Sequence, residues 1–112
     1  MLFRSLYVRT ARMVADQWSR FGECGLVVGA TYPDELARVR EVAADLPILV
    51  PGIGTQGGDP QSVVKSGSRD DGRGLMVSSS RTILYASAGD DFADAARAAA
   101  IDARLACLPA GW

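Results

Sequence analysis

Residues 52–57 read GIGTQG, a G-x-G-x-x-G pattern that follows the apolar run PILVP. Further on, GLMVSSSRTILYAS closes another apolar run with Ser80 and Arg81. Glycines let backbone N–H groups approach an anion, and an arginine can hold a phosphate through two parallel hydrogen bonds. The chemistry on offer is anion capture, of either a dinucleotide pyrophosphate or a single phosphate. A dinucleotide fingerprint starts its helix inside the motif and places an acidic residue at the tip of the next strand. Here the helix signal comes later, at Asp59–Pro60, and Asp70 and Asp71 precede the next strand instead of ending it. The loop also follows an earlier strand–helix unit, so it is not the first strand-to-helix turn. A single phosphate fits better. Pro51, Gly52, Ile53, Gly54, Thr55, Gly57 and Gly58 would shape the loop, and Gln56 would add a side-chain donor and acceptor. A glycine loop alone is more often a tight connection, and a lone arginine a solvated charge. Both together, at the tips of neighbouring strands, point to a site.

Other chemistry has little to work with. The chain contains no histidine, which excludes serine–histidine and cysteine–histidine mechanisms within these 112 residues. Cys24 and Cys107 are far apart and form no CxxC, so reduced thiols and no metal site are expected. Lys65 is the only lysine. A net charge of -1 gives no reason to expect nucleic acid or an anionic membrane as partner. No apolar run approaches the roughly 20 residues of a membrane span, and the opening lacks the long apolar stretch of a secretory signal. A cytoplasmic location follows as the expectation.

The elements that must position the loop and Arg81 can be read from the patterning. CGLVVGAT (24–31), PILVPGIG (47–54) and GLMVSSS (74–80) are short continuous apolar runs, which suit strands buried on both faces. Between the first two, Pro33 suits a first helical turn, Asp34 and Glu35 favour its positive end, and Leu36, Val39 and Ala43 recur at helical spacing. DPQSVVKSG predicts a shorter helix with Asp59 as N-cap, Pro60 first and Gly67 as terminator. Tyr7, Ala11, Val14, Trp18 and Phe21 mark an amphipathic helix before the first strand, and Asp90 and Asp91 open an alanine-rich helix after the last. Ser80 and Arg81 would begin a short extra helix. Strand–helix alternation at this interval implies parallel strands with crossover helices. Three such strands leave two open edges, so the chain is expected to be the C-terminal part of a longer protein. The opening LFRS is also what a common sequencing adapter translates to in one frame, so residues 1–5 are expected to be non-native.

PGIGTQGGD and GLMVSSSRTILYAS together resemble the seventh-strand loop and the eighth strand of orotidine 5′-phosphate decarboxylase, and GLVVGATYPDELARVR resembles its sixth strand and helix. The resemblance spans residues 6–106 and is strongest to the longer-chain bacterial branch. It implies an α/β fold: the C-terminal part of a (β/α)8 TIM barrel, with three parallel strands (6, 7 and 8), in one partial domain over 1–112. It implies conversion of orotidine 5′-phosphate to uridine 5′-phosphate and CO2 in pyrimidine biosynthesis, without a cofactor. By position, Gln56 matches the glutamine spanning the phosphate and pyrimidine ends of the nucleotide. Arg81 matches the phosphate-binding arginine, with the backbone of Ser80 beside it. Serine at 80 replaces a glycine common in relatives, and Thr55 an alanine. The family's chemistry resides in a lysine–aspartate array near the second and third strands, which this chain lacks. The fragment alone is therefore expected to be inactive, to need the missing N-terminal half of the barrel, and to belong to a homodimeric parent.

Two alternatives use the same residues differently. One is another phosphate-binding barrel, a sugar-phosphate epimerase or a hexulose-phosphate synthase. The other is a half-barrel module that binds phosphate and catalyses nothing.

Overall fold

A computed structural model describes residues 5–54 and 57–112. Three parallel strands lie side by side in chain order: β1 (Leu26–Val27), β2 (Ile48–Pro51) and β3 (Leu75–Ser78). Parallel neighbours need a crossover, and helices α2 (Pro33–Val42) and α3 (Pro60–Gly67) supply the two. Helix α1 (Leu6–Asp16) precedes the sheet, while α4 (Ser80–Leu84) and α5 (Phe92–Ala106) follow it.

The register aligns Leu26, Ile48 and Leu75 in one row and Val27, Leu49 and Met76 in the next. Side chains alternate between the faces of a strand, so these rows face opposite ways. Ile48 and Val50 are fully buried in a cluster with Ala11 of α1, Leu36 and Val39 of α2, and Val63 of α3. Burying side chains of this size stabilises by about 1.5–3 kcal/mol each. The other face is bare: Val27 is 69% and Met76 53% exposed. The expectation of strands covered on both faces therefore holds on the helix side alone. A continuous apolar run states that both faces are apolar, not that both are covered.

Two further expectations change. Helix α1 ends at Asp16, and Trp18–Arg20 form a 3-10 turn. Tightening to three residues per turn rotates the following side chains off the α-helical stripe. Val8, Ala11 and Val14 form the buried face of α1, whereas Trp18 and Phe21 are exposed. Gly67 is the last residue of α3 but lacks the positive φ of a terminating glycine. Its smallness is used for packing. A Cβ there would lie 2.8 Å from Leu36 Cδ2 and 2.9 Å from Leu75 Cδ2.

Helix α2 begins as its residues dictate, with Pro33 first and Asp34 and Glu35 in the first turn. Its buried stripe includes Arg40 beside Leu36 and Val39. The Arg40 guanidinium donates to the carbonyls of Gly67, Ala43, Ala44, Leu46 and Gly74. One side chain thereby fastens the end of α2, the end of α3 and the approaches to β2 and β3. Helix α5 buries no residue fully, although Ala103 and the half-buried Cys107 at its end pack on the core. Gln61 Nε2, in the first turn of α3, donates to the Ala106 carbonyl at 2.6 Å and so anchors the end of α5.

Candidate phosphate site

Beyond Pro51 the backbone leaves the sheet in a loop closed by its own amides. Gly57 N–H donates to the Gly54 carbonyl at 3.0 Å, and Gly58 N–H to the Gly52 carbonyl at 3.2 Å. These two amides are spent inside the loop and are not offered to an anion. Gly54 has φ +82°, a conformation that side chains with a Cβ rarely adopt. Gly58 is required for space, since a Cβ there would lie 2.5 Å from Ala30 Cβ and 2.7 Å from the Gly52 oxygen. Ile53 is buried and bridges to Gly58. Thr55 and Gln56 lie outside the described residues.

Helix α3 starts after the loop, as the sequence predicts. Its N-cap, Asp59, accepts from the Ser62 amide at 2.8 Å and from the Ser62 hydroxyl at 2.7 Å. Those bonds hold the Asp59 carboxyl below its usual range, the hydroxyl contributing most. The positive end of α3 already faces its own carboxylate, which disfavours a dinucleotide pyrophosphate there.

Strand β3 ends at Ser78, and Ser79 is the N-cap of α4. Ser80 and Arg81 are its first two residues, both exposed. The tips of the two strands converge. Pro51, Gly52 and Ile53 on one side and Ser78, Ser79, Ser80 and Arg81 on the other line a single cleft of about 110 Å³. Nucleotide-sized pockets are usually about 300 Å³ or more, so these residues can surround one end of such a ligand and no more. Gly54 packs onto the first turn of α4, Gly57 has open space around it, and none of Gly54, Gly57 and Gly58 lines the cleft.

The arrangement can hold an anion through a guanidinium and backbone dipoles; among the described residues its lining has no carboxyl, lysine or cysteine side chain, and no base stands beside its serines. Lys65 is exposed on α3 and does not line the cleft. Among the described residues no group of three histidine, cysteine or acidic side chains could hold a metal, and no helix is long and apolar enough to cross a membrane. Sequence patterning missed Arg40, whose place in the stripe Leu36–Val39–Arg40–Ala43 already put it on a buried face. It also missed the part played by Ser79.

No family model matches the chain. The orotidine 5′-phosphate decarboxylase of Aromatoleum aromaticum is 61% identical over 99 residues, covering 88% of this chain and 36% of that protein. The one from an Azoarcus species is 60% identical, covering 88% and 37%. Over these residues the chain is similar to orotidine 5′-phosphate decarboxylases. It spans a little over a third of the length of these orotidine 5′-phosphate decarboxylases. Among solved structures, Leishmania donovani UMP synthase superimposes with a TM-score of 0.77 at 38% identity, covering 94% of this chain and 23% of that one. Leishmania donovani OMP decarboxylase gives 0.74 at 34% identity, covering 96% and 40%. The three parallel strands and their helices thus match part of the fold of these two structures.

Proposed function

We propose that this chain supplies the phosphate grip of an orotidine 5′-phosphate decarboxylase, as the C-terminal part of its barrel. The observation that carries this reading is the single cleft shared by Arg81 and the loop after β2. Such a site, built from the loops after neighbouring strands and a short extra helix, is a recurrent phosphate trap of (β/α)8 barrels. The relatives favour the decarboxylase over a sugar-phosphate enzyme.

In this reading Arg81 pairs with the phosphodianion of orotidine 5′-phosphate, the backbone of Ser80 lies beside it, and Gly54 lets the loop pack onto the helix that carries Arg81. Gln56 reaches from the phosphate towards the pyrimidine. The decarboxylating lysine and aspartates belong to the upstream part of the parent, since Lys65 stands on an outer helix. Binding energy from the phosphate, which does not react, stabilises the transition state at the distant pyrimidine. The 112 residues form one partial domain that is inactive alone. The parent is a cytoplasmic homodimer needing no cofactor.

The deciding measurement is kcat/KM of the full-length parent and its Arg81→Ala variant, on orotidine 5′-phosphate and on phosphate-free orotidine. A loss concentrated on the phosphorylated substrate supports the grip. An equal loss on both overturns it.

A further inference from the structure

Resting on the phosphate grip just proposed, we infer that Ser79 is a positioning residue that locks the glycine loop to the helix carrying Arg81. A serine at an N-cap ordinarily turns its hydroxyl onto an amide of the first helical turn. Ser79 makes no such bond. Its Oγ instead donates to the Ile53 carbonyl at 3.4 Å, crossing from the tip of β3 to the loop after β2. The next loop residue meets the same turn. A Cβ built on Gly54 would lie 3.4 Å from Ser79 Oγ and 2.7 Å from Thr82 Oγ1.

Two hydroxyls that bracket Ser80 and Arg81 therefore bear on two consecutive residues of the loop. Ile53 is well anchored, being 6% exposed and bridged to Gly58. The hydroxyl of Ser79 gives up local capping for a contact that sets the distance between the two walls of the cleft. Ser79 acts through Arg81 and the loop, by holding them at the separation one phosphate spans.

The test uses the full-length parent, with kcat/KM measured on orotidine 5′-phosphate and on orotidine for Ser79→Ala, Ser79→Gly and Ser79→Thr, beside Arg81→Ala. At 3.4 Å this hydroxyl contact is longer than the usual O–H···O distance, so its loss corresponds to the low end of such effects, roughly two- to threefold. Ser79→Ala should lose that factor more on the phosphorylated substrate than on the truncated one, and Ser79→Thr should restore it. Glycine is well tolerated at an N-cap, so Ser79→Gly should show the same selective loss even if Ser79→Ala folds poorly. Equal losses on both substrates, or none, overturn the positioning role while Arg81→Ala still shows its phosphate-dependent loss. If Arg81→Ala shows no such loss, the phosphate grip and this inference fall together.

Discussion

Arg40 Nε donates to the carbonyl of Gly67 at 2.6 Å, tying the buried stripe of α2 to the last residue of α3. Among the described residues no carboxylate accepts from this guanidinium, and its acceptors are backbone oxygens. Burial, and then the nearby Arg69, pull its pKa below the ordinary value. Arg69 itself pairs with Asp71 at 3.2 Å. Arg40 is a clamp on the fold, at the end of the strands remote from the cleft.

Replacing Arg40 by methionine strands several buried carbonyls, each costing about 1–3 kcal/mol when unsatisfied. The full-length parent should lose on the order of 3 kcal/mol, read as a lower urea midpoint at unchanged slope. Arg40→Lys should recover only part of it, because an ammonium cannot reach so many oxygens in a fixed fork. An unchanged midpoint in Arg40→Met would show that the clamp does not hold the fold.

If Arg81 grips the phosphodianion as proposed, Arg81→Ala removes a charge-assisted contact of about 1.5–3 kcal/mol. Its kcat/KM on orotidine 5′-phosphate should fall roughly 10- to 200-fold, with orotidine much less affected. Gln56→Ala should affect both substrates if Gln56 also reaches the pyrimidine end, as proposed. Parallel steady-state assays of the two variants on both substrates distinguish these patterns.

The 112 residues alone should bind no transition state and release no CO2 from orotidine 5′-phosphate above a blank. They should also self-associate, because Val27 and Met76 present an uncovered apolar row. Light scattering after size exclusion should report oligomers, and a Val27→Lys/Met76→Lys double variant should shift them towards monomer. A monomeric chain with sharp, dispersed amide resonances would contradict this.

Acid should weaken the protein through Asp59 and Asp71, both held below their usual range, Asp59 by Ser62 and Asp71 first by the Arg73 amide. A depressed folded pKa contributes stability that is complete above the unfolded value, about 3.9, and is lost as pH falls through the folded value. Urea midpoints of the full-length parent should therefore be insensitive to these groups from pH 5 to 8 and fall below about pH 4. Asp59→Asn should make the acid limb shallower. An unaltered limb would remove Asp59 as a contributor.

Much of the fold was legible because local signals agreed with it. Pro33 and Asp59 mark helix starts by their own chemistry, and the apolar runs fall on the three strands. The shared cleft of Arg81 and the glycine loop was legible because both motifs sit at strand tips, where parallel topology brings them together. The rest depends on contacts that periodicity does not encode. Trp18 and Phe21 keep helical spacing, yet a 3-10 turn rotates them away. Gly67 sits where a terminator would, yet Leu36 and Leu75 set its size. Ser79 looked like one serine among three until its hydroxyl was found on Ile53.

The Arg40 clamp grips carbonyls that precede β2 and β3, whereas the cleft opens where those strands end. A four-residue strand rises roughly 13 Å between them. Changes that far apart with no shared partner add almost independently. A lineage can therefore strengthen the closed end and hold that gain in reserve while the open end tries residues that weaken it. Inherited variation near Arg40 would then set how freely the mouth around Arg81 can be rewritten for a different phosphorylated guest.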